Sequence, residues 1–263
     1  MSINGMSQII KKLKKQILTT AYNSQEGHIA SSFSCLDILW VLYDKIMNIN
    51  SDNYLDDNTD KFILSKGHAS LALYIVLAEK GFISKLELNT FCQLNSNLLG
   101  HPTRDIQGVI ANTGSLGHGC AIAVGIALAK KIKNNSGNVY CVLGDLECCE
   151  GTVWESAMFA SQHNLNNLYF IIDNNHSSDN IINMSNLANK FISFGFHIED
   201  IIGHNHYDLE QSLSIKFDKP VCVIAHTIKG NGIKAMENEP NKWHHKSLNE
   251  QEYKAMLEEL DYA

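Results

Sequence analysis

Arginine is almost missing from this chain of 263 residues: Arg104 is the only one. A bidentate guanidinium clamp for a phosphate or carboxylate therefore cannot be assembled from the chain's own arginines. Positive charge is scarce as well, with a formal net charge of −7. The one basic run, Lys11-Lys-Leu-Lys-Lys15, is interleaved with Ile9, Ile10, Leu13, Ile17 and Leu18 and reads as the wet face of a helix. Nucleic acid is not expected as a partner, because proteins that neutralise phosphates display clustered Lys and Arg. No apolar run approaches the ~20 residues of a membrane span. The first 23 residues carry polar and basic side chains where a signal peptide needs an apolar stretch, so the expected location is cytoplasmic. A Cys-x-x-Cys pair is also absent. The seven cysteines (Cys35, Cys92, Cys120, Cys141, Cys148, Cys149 and Cys222) read as reduced, mostly buried thiols, and the vicinal Cys148-Cys149 as small residues at a helix start. There is no internal repeat or low-complexity tract. With 44% hydrophobic and 19% charged residues the chain supports one large core, a single domain over 1–263.

What is present is an alternation of short apolar runs and helical segments. Helices are expected at Ser7 to Tyr22 and at Ser34 to Ile46, the latter opened by the capping signal Ser34-x-x-Asp37. A third is expected from about His68 to Lys80, stopped by Gly81, and Ser84-Lys-Leu-Glu87 reads as the capping box of another. Gly117 to Ile132 is an apolar, small-residue helix suited to burial. Strands are expected near 139–143, 168–172, 196–201 and 220–225, and Asn134 to Asn138 reads as a loop. This order gives an α/β fold, a doubly wound parallel sheet with helices on both faces.

Within it, Val139-Tyr-Cys-Val-Leu-Gly-Asp-Leu-Glu147 and Leu168-Tyr-Phe-Ile-Ile-Asp-Asn-Asn175 flank a helical segment from Glu150 to His163. That is a βαβ unit. Ligands of such units bind outside the carboxyl ends of the strands, so Asp145 and Asn175 should converge on one crevice. A carboxylate and a carboxamide suit a hard cation such as Mg²⁺, which commonly shares its oxygen ligands with a bound phosphate. A nucleotide-binding loop at Gly114-x-x-Gly117-x-Gly119 is the competing reading. Its spacing fails the Gly-x-Gly-x-x-Gly order, it lacks the Lys-Ser or Lys-Thr of a P-loop, and only the short Val109-Ile-Ala111 precedes it.

Gly144-Asp145-Leu146 with Asn174-Asn175 resembles the thiamine diphosphate signature Gly-Asp-Gly followed by Asn-Asn, with Leu146 in place of the third residue. The wider run Gly144-Asp-Leu-Glu-Cys-Cys-Glu-Gly-Thr-Val-Trp-Glu155 resembles the transketolase version. Further blocks follow in that family's order: Gly27-His28, Asp60-Lys-Phe-Ile-Leu-Ser-Lys-Gly-His-Ala-Ser70, Gly100-His-Pro-Thr103, Thr113-Gly-Ser-Leu-Gly-His-Gly119, Thr227-Ile-Lys-Gly-Asn-Gly232 and Trp243-His244-His245. The resemblance runs from about residue 7 to residue 260.

It implies the diphosphate-binding domain of a thiamine diphosphate fold. Asp145, Asn175 and the main-chain carbonyl of Ser177 would hold Mg²⁺, or another divalent cation such as Ca²⁺, on the cofactor diphosphate. His68, Gly114, Leu116, Gly144, Leu146 and His244 would line the cofactor, with His245 the substitute for His244 if the alignment slips by one. His28 and His101 would contact donor-sugar hydroxyls, where an imidazole with a near-neutral pKa suits proton transfer. His244 would sit near the reacting carbon, and Glu150 at the subunit contact, linked to the glutamate that activates the cofactor. His118 and His176 receive no role. The chain ends before the family's pyrimidine-binding and C-terminal domains. The resemblance therefore implies a separate partner subunit carrying them, in a two-plus-two heterotetramer with sites between chains.

The implied reaction is transfer of a two-carbon ketol unit from a ketose, a sugar or sugar phosphate, to an aldehyde acceptor. Departures cluster near the donor-facing histidines. Gly27-His-Ile-Ala-Ser-Ser-Phe33 lacks the usual Pro-Gly-Gly after the histidine, Asn97 stands where a basic residue is common, and Leu99 replaces a polar one. They leave open a specialised ketol or acyloin transfer in unusual-sugar or secondary-metabolite synthesis, and Leu146 leaves open a non-catalytic scaffold subunit.

Overall fold

Residues buried on both sheet faces must be apolar almost without interruption, and 139–144 and 168–172 meet that demand. The computed structural model describes residues 7–179, 181–182, 184 and 186–262, and makes these segments its central strands. In chain order the elements are α1 (Gln8–Ser24), α2 (Ile29–Val41), β1 (Lys61–Leu64), α3 (Ser70–Glu79), α4 (His118–Lys133), β2 (Val139–Gly144) and α5 (Gly151–Gln162). There follow β3 (Leu168–Asn174), α6 (Leu187–Ser193), β4 (His197–Ile202), α7 (His206–Ser214), β5 (Val221–His226), α8 (Lys234–Asn238) and α9 (Glu250–Tyr262). The strands form one parallel sheet in the order β1-β2-β3-β5-β4.

The period-two alternation of a strand divides the sheet's side chains between two cores. Tyr140, Val142, Tyr169, Ile171, Val221 and Val223 pack among residues of α1, α2 and α3. Cys141, Leu143, Phe170, Ile172, Cys222 and Ile224 pack among residues of α4, α5 and α6. The doubly wound α/β expectation is met. Register brings the strand ends together: Gly144 lies opposite Asp173, and Asn174 opposite His226.

Several local expectations are corrected. The second helix starts at Ile29, not Ser34, and continues past Val41 as a π-helical turn over Leu42–Ile46. Ser34 and Asp37 are buried inside it, where their side chains bond across the fold instead of capping. Lys14 is not on a wet face. It is buried, and its ammonium donates to the carbonyl and side chain of Asn231 at 2.7 and 2.6 Å. The strand β1 was not expected, because four residues beginning with a lysine show no periodicity. The Ser84 box forms in part: Ser84 N–H donates to Glu87, but only a 3₁₀ turn over Glu87–Thr90 follows. The seven thiols are free, with Cys92 and Cys149 partly exposed and the rest buried. Among the described residues no helix is long and apolar enough to cross a membrane.

Candidate active site

The two motif residues sit one step beyond neighbouring strand ends. Asp145 follows β2 and Asn175 follows β3. Asp145 is 1% exposed, and its Oδ2 accepts the N–H and hydroxyl of Ser178, both at 2.9 Å. Among the described residues its Oδ1 accepts nothing further. Burial, with a smaller push from Asp173, raises its carboxyl above the usual range, so a cation there would be welcome. Asn175 Oδ1 accepts from the N–H and hydroxyl of Ser177, at 3.2 and 2.5 Å. Its amide donates to Ser34 Oγ at 2.9 Å. A carboxylate, a carboxamide and a peptide carbonyl are hard oxygen donors. Such donors suit a hard cation that brings phosphate oxygens with it.

Beneath this pair lies a buried anchor. Asp173 is fully buried and accepts from the Lys66 ammonium, from Ser34 Oγ at 2.7 Å and from Thr227 Oγ1. The ion pair holds the Lys66 ammonium charged although burial opposes it.

Facing them are imidazoles from three distant motifs. The His28 ring centroid lies 5.1 Å from that of His68, 4.9 Å from His244 and 4.6 Å from His245, and His68 lies 5.7 Å from His244. His28 Nδ1 lies 2.7 Å from the carbonyl of His244 and so carries the proton, leaving Nε2 the acceptor. Burial, with neighbouring histidines, pushes His28 down to about 4, and burial with the Lys66 charge pushes His68 down further. His244 moves the same way, chiefly through burial and Lys229. The near-neutral pKa expected of His28 is thus replaced by an imidazole uncharged at neutral pH, a hydrogen-bonding base rather than a ready acid. His245 instead pairs with Glu26 at 3.3 Å.

Between the two groups stands Lys229, 7% exposed, its ammonium 3.2 Å from Ser177 Oγ and 3.3 Å from His244 Nδ1. It has no carboxylate partner among the described residues, and burial followed by the Lys66 charge lowers its pKa. A desolvated ammonium hydrogen-bonded only to neutral groups is suited to an anion.

Glycine packing brings the remaining motifs in. A Cβ on Gly67 would stand 2.9 Å from the Gly114 nitrogen. One on Gly114, whose φ is +148°, would stand 2.9 Å from the His101 ring. Leu116 and Leu146 are half-buried beside these turns, whereas a Cβ on Gly144 would meet nothing within 4 Å, which leaves open space next to Asp145. Glu147 ties the loops together, accepting from Ser65 Oγ at 2.7 Å and from the N–H groups of Gly117 and Gly144, both at 2.9 Å. Glu150, at the N-terminus of α5, is exposed, as are His118 and His176.

Lys66, Asp173, Lys229 and Glu147 were not singled out from sequence. Lys66 and Lys229 lay inside quoted motifs, each directly beside a glycine. Asp173 was hidden in an apolar strand, and Glu147 by the more legible Asp145.

A family model described as "Transketolase, thiamine diphosphate binding domain" matches residues 6–263. One subunit of the apulose-4-phosphate transketolase of Phocaeicola vulgatus is 33% identical over 268 residues, covering 99% of this chain and 95% of the relative. One subunit of the 6-deoxy-6-sulfo-D-fructose transketolase of a Clostridium species is 34% identical, covering 89% of this chain and 88% of the relative. The crystal structure of transketolase from Campylobacter jejuni superimposes with a TM-score of 0.89 at 32% identity, over 98% of this chain but only 43% of that one.

Proposed function

Because the chain belongs to the transketolase family, as its thiamine diphosphate binding domain, we propose that it is the N-terminal subunit of a split ketol transferase. It would move a two-carbon unit from a ketose to an aldehyde, with thiamine diphosphate and Mg²⁺ held at a junction with a partner chain that carries the pyrimidine domain. The observation that carries this reading is the Lys229 ammonium. Among the described residues it has no carboxylate partner, and it lies between the oxygen donors around Asn175 and the histidine cluster, as a diphosphate site requires.

The roles follow from the contacts. Asp145, Asn175 and the Ser177 carbonyl would hold the metal, and Lys229 and His68 the diphosphate charge. Open space beside Gly144 admits the diphosphate, with Gly114 and Leu116 lining the cofactor. Thiamine diphosphate, when bound, supplies the carbanion chemistry that breaks the bond beside a ketose carbonyl. His28, neutral with Nε2 free to accept, would take a hydrogen bond from a donor hydroxyl, and His101 and His244 would orient the sugar. Glu150, exposed, would meet the partner.

Both of these relatives are named for ketoses with an anionic tail, a phosphate or a sulfonate. We assign this chain the same substrate class, a specialised sugar rather than the common pentose phosphates. The lone Arg104 leaves recognition of the tail to the partner. Calorimetry of thiamine diphosphate with Mg²⁺, with and without the partner, tests the reading. Binding should require Mg²⁺, tighten with the partner, and weaken at least ~100-fold in Asp145→Ala, as expected for loss of a charged metal ligand. Absence of binding in the assembled protein would leave a scaffold that has lost its cofactor.

A further inference from the structure

Lys229 lies between Ile228, which is 49% exposed, and the buried Gly230, and hydrogen bonds from separate parts of the fold fix its backbone. Thr227 N–H donates to the Asn174 carbonyl at 3.1 Å, and Gly230 N–H to the Ala30 carbonyl at 2.9 Å. The nearest anchor on the N-terminal side of Lys229 is Ile228 N–H, which donates to Nε2 of His204 at 2.9 Å. That bond decides the tautomer. Nε2 accepts, so the proton is on Nδ1, which donates to Asp37 Oδ2 at 2.9 Å. Asp37 is 5% exposed, and its other oxygen is 2.7 Å from His206 Nε2. The carboxylate therefore fixes both the orientation and the protonation of the imidazole that holds residue 228.

We propose that His204, oriented by Asp37, is a positioning residue that holds Lys229 in place for the diphosphate. The inference rests on the cofactor site proposed above. His204 lies in the turn between β4 and α7, at the far edge of the sheet from β1, and shares no contact with the metal donors. Its influence on the cofactor runs through one peptide N–H. A phenyl ring at 204 keeps the volume but cannot accept from residue 228, so the ammonium next to it loses its fixed place. A glutamine keeps a side-chain acceptor and a donor.

The test is a double-mutant cycle on cofactor affinity, using the full chain with its partner subunit, thiamine diphosphate and Mg²⁺. Lys229→Ala alone reports on the site itself. His204→Phe should weaken binding about tenfold, His204→Gln should recover most of that loss, and His204→Phe added to Lys229→Ala should cost nothing more. Melting temperatures without cofactor separate this from general destabilisation, which would lower the transition without sparing the double variant. Unchanged affinity in His204→Phe, or a full additional loss on top of Lys229→Ala, overturns the positioning role while leaving the site intact. Failure of the unaltered protein to bind, or of Lys229→Ala to weaken binding, overturns the site reading and this inference with it. Should His204→Phe fail to fold, Asp37→Asn, which preserves the shape but not the charge, carries the same cycle.

Discussion

Asp173 is the residue on which the site rests, and its chemistry is that of a buried charge with every lone pair committed. Lys66, Ser34 and Thr227 donate to it from three different segments, and the Asn175 amide donates a fourth, longer bond at 3.4 Å. Removing one partner of such a pair strands the other's charge in a low-dielectric interior, which costs roughly 3–5 kcal/mol. Asp173→Asn should therefore lower the unfolding free energy by about that amount in urea titrations. Replacing both partners, as in Lys66→Met with Asp173→Leu, should cost less than the single change. Equal or greater loss in the double variant would mean that the hydroxyl bonds, not the charge pair, set the stability. This residue also marks how far a sequence can be read. Asp145 and Asn175 were legible because polar side chains at strand ends face a crevice. Asp173, two positions earlier in an apolar strand, has little local signal, since its shorter hydrogen bonds come from residues 34, 66 and 227 and only the 3.4 Å bond from Asn175 is local.

At the scale of elements, α2 shows a polar pattern whose meaning is tertiary. Ser34-x-x-Asp37 has the spacing of a helix start, yet the helix begins at Ile29 with no side-chain cap. The pattern misled because a serine and an aspartate can satisfy a helix N-terminus or distant groups equally well, and spacing does not distinguish them. Asp37 joins α2 to His204 and His206 at the start of α7. Burial opposes its charge, but those hydrogen bonds prevail and hold the carboxyl down to about 2, against an ordinary 3.8. A folded-state pKa below the unfolded one stabilises fully above the unfolded value, and that stability is lost as pH falls through the folded value. The window is thus pH 4 to 2, and the contribution is about 2 kcal/mol. Urea midpoints at pH 5 and pH 2.5 should fall further apart in the unaltered protein than in Asp37→Asn; parallel loss would assign the acid sensitivity to other carboxylates. Legible were α1, α3, α4, α5 and four of the five described strands, which are strongly patterned, whereas α9, with 13 residues, was not read from the sequence. The fifth, β1, is a strand only because β2 pairs with it.

For the whole molecule, the question is what completes a site whose oxygen donors, ammonium and imidazoles are gathered but to which this chain can bring no pair of arginines. Relatives that are themselves named as subunits, and that this chain covers to 95% and 88%, support a separate partner subunit. Glu150 offers the most direct probe of that partnership. It is exposed at the start of α5, it makes no hydrogen bond through its side chain among the described residues, and it lies five residues from Asp145 in the same motif. A surface side chain with no partner usually contributes within about 0.5 kcal/mol to stability, so Glu150→Gln should melt within about 1–2 °C of the unaltered chain. If its carboxylate works across the junction, the assembled enzyme should nonetheless lose activity by at least ~10-fold, since small errors of placement at a reacting centre are costly. The loss should appear in kcat for a ketose donor, with cofactor affinity of the assembled pair changed far less. An unaltered kcat would place Glu150 outside the machinery. A lowered melting temperature of the chain alone would make it a structural residue of this chain, because a group that acts only on the partner cannot be missed until the partner is there.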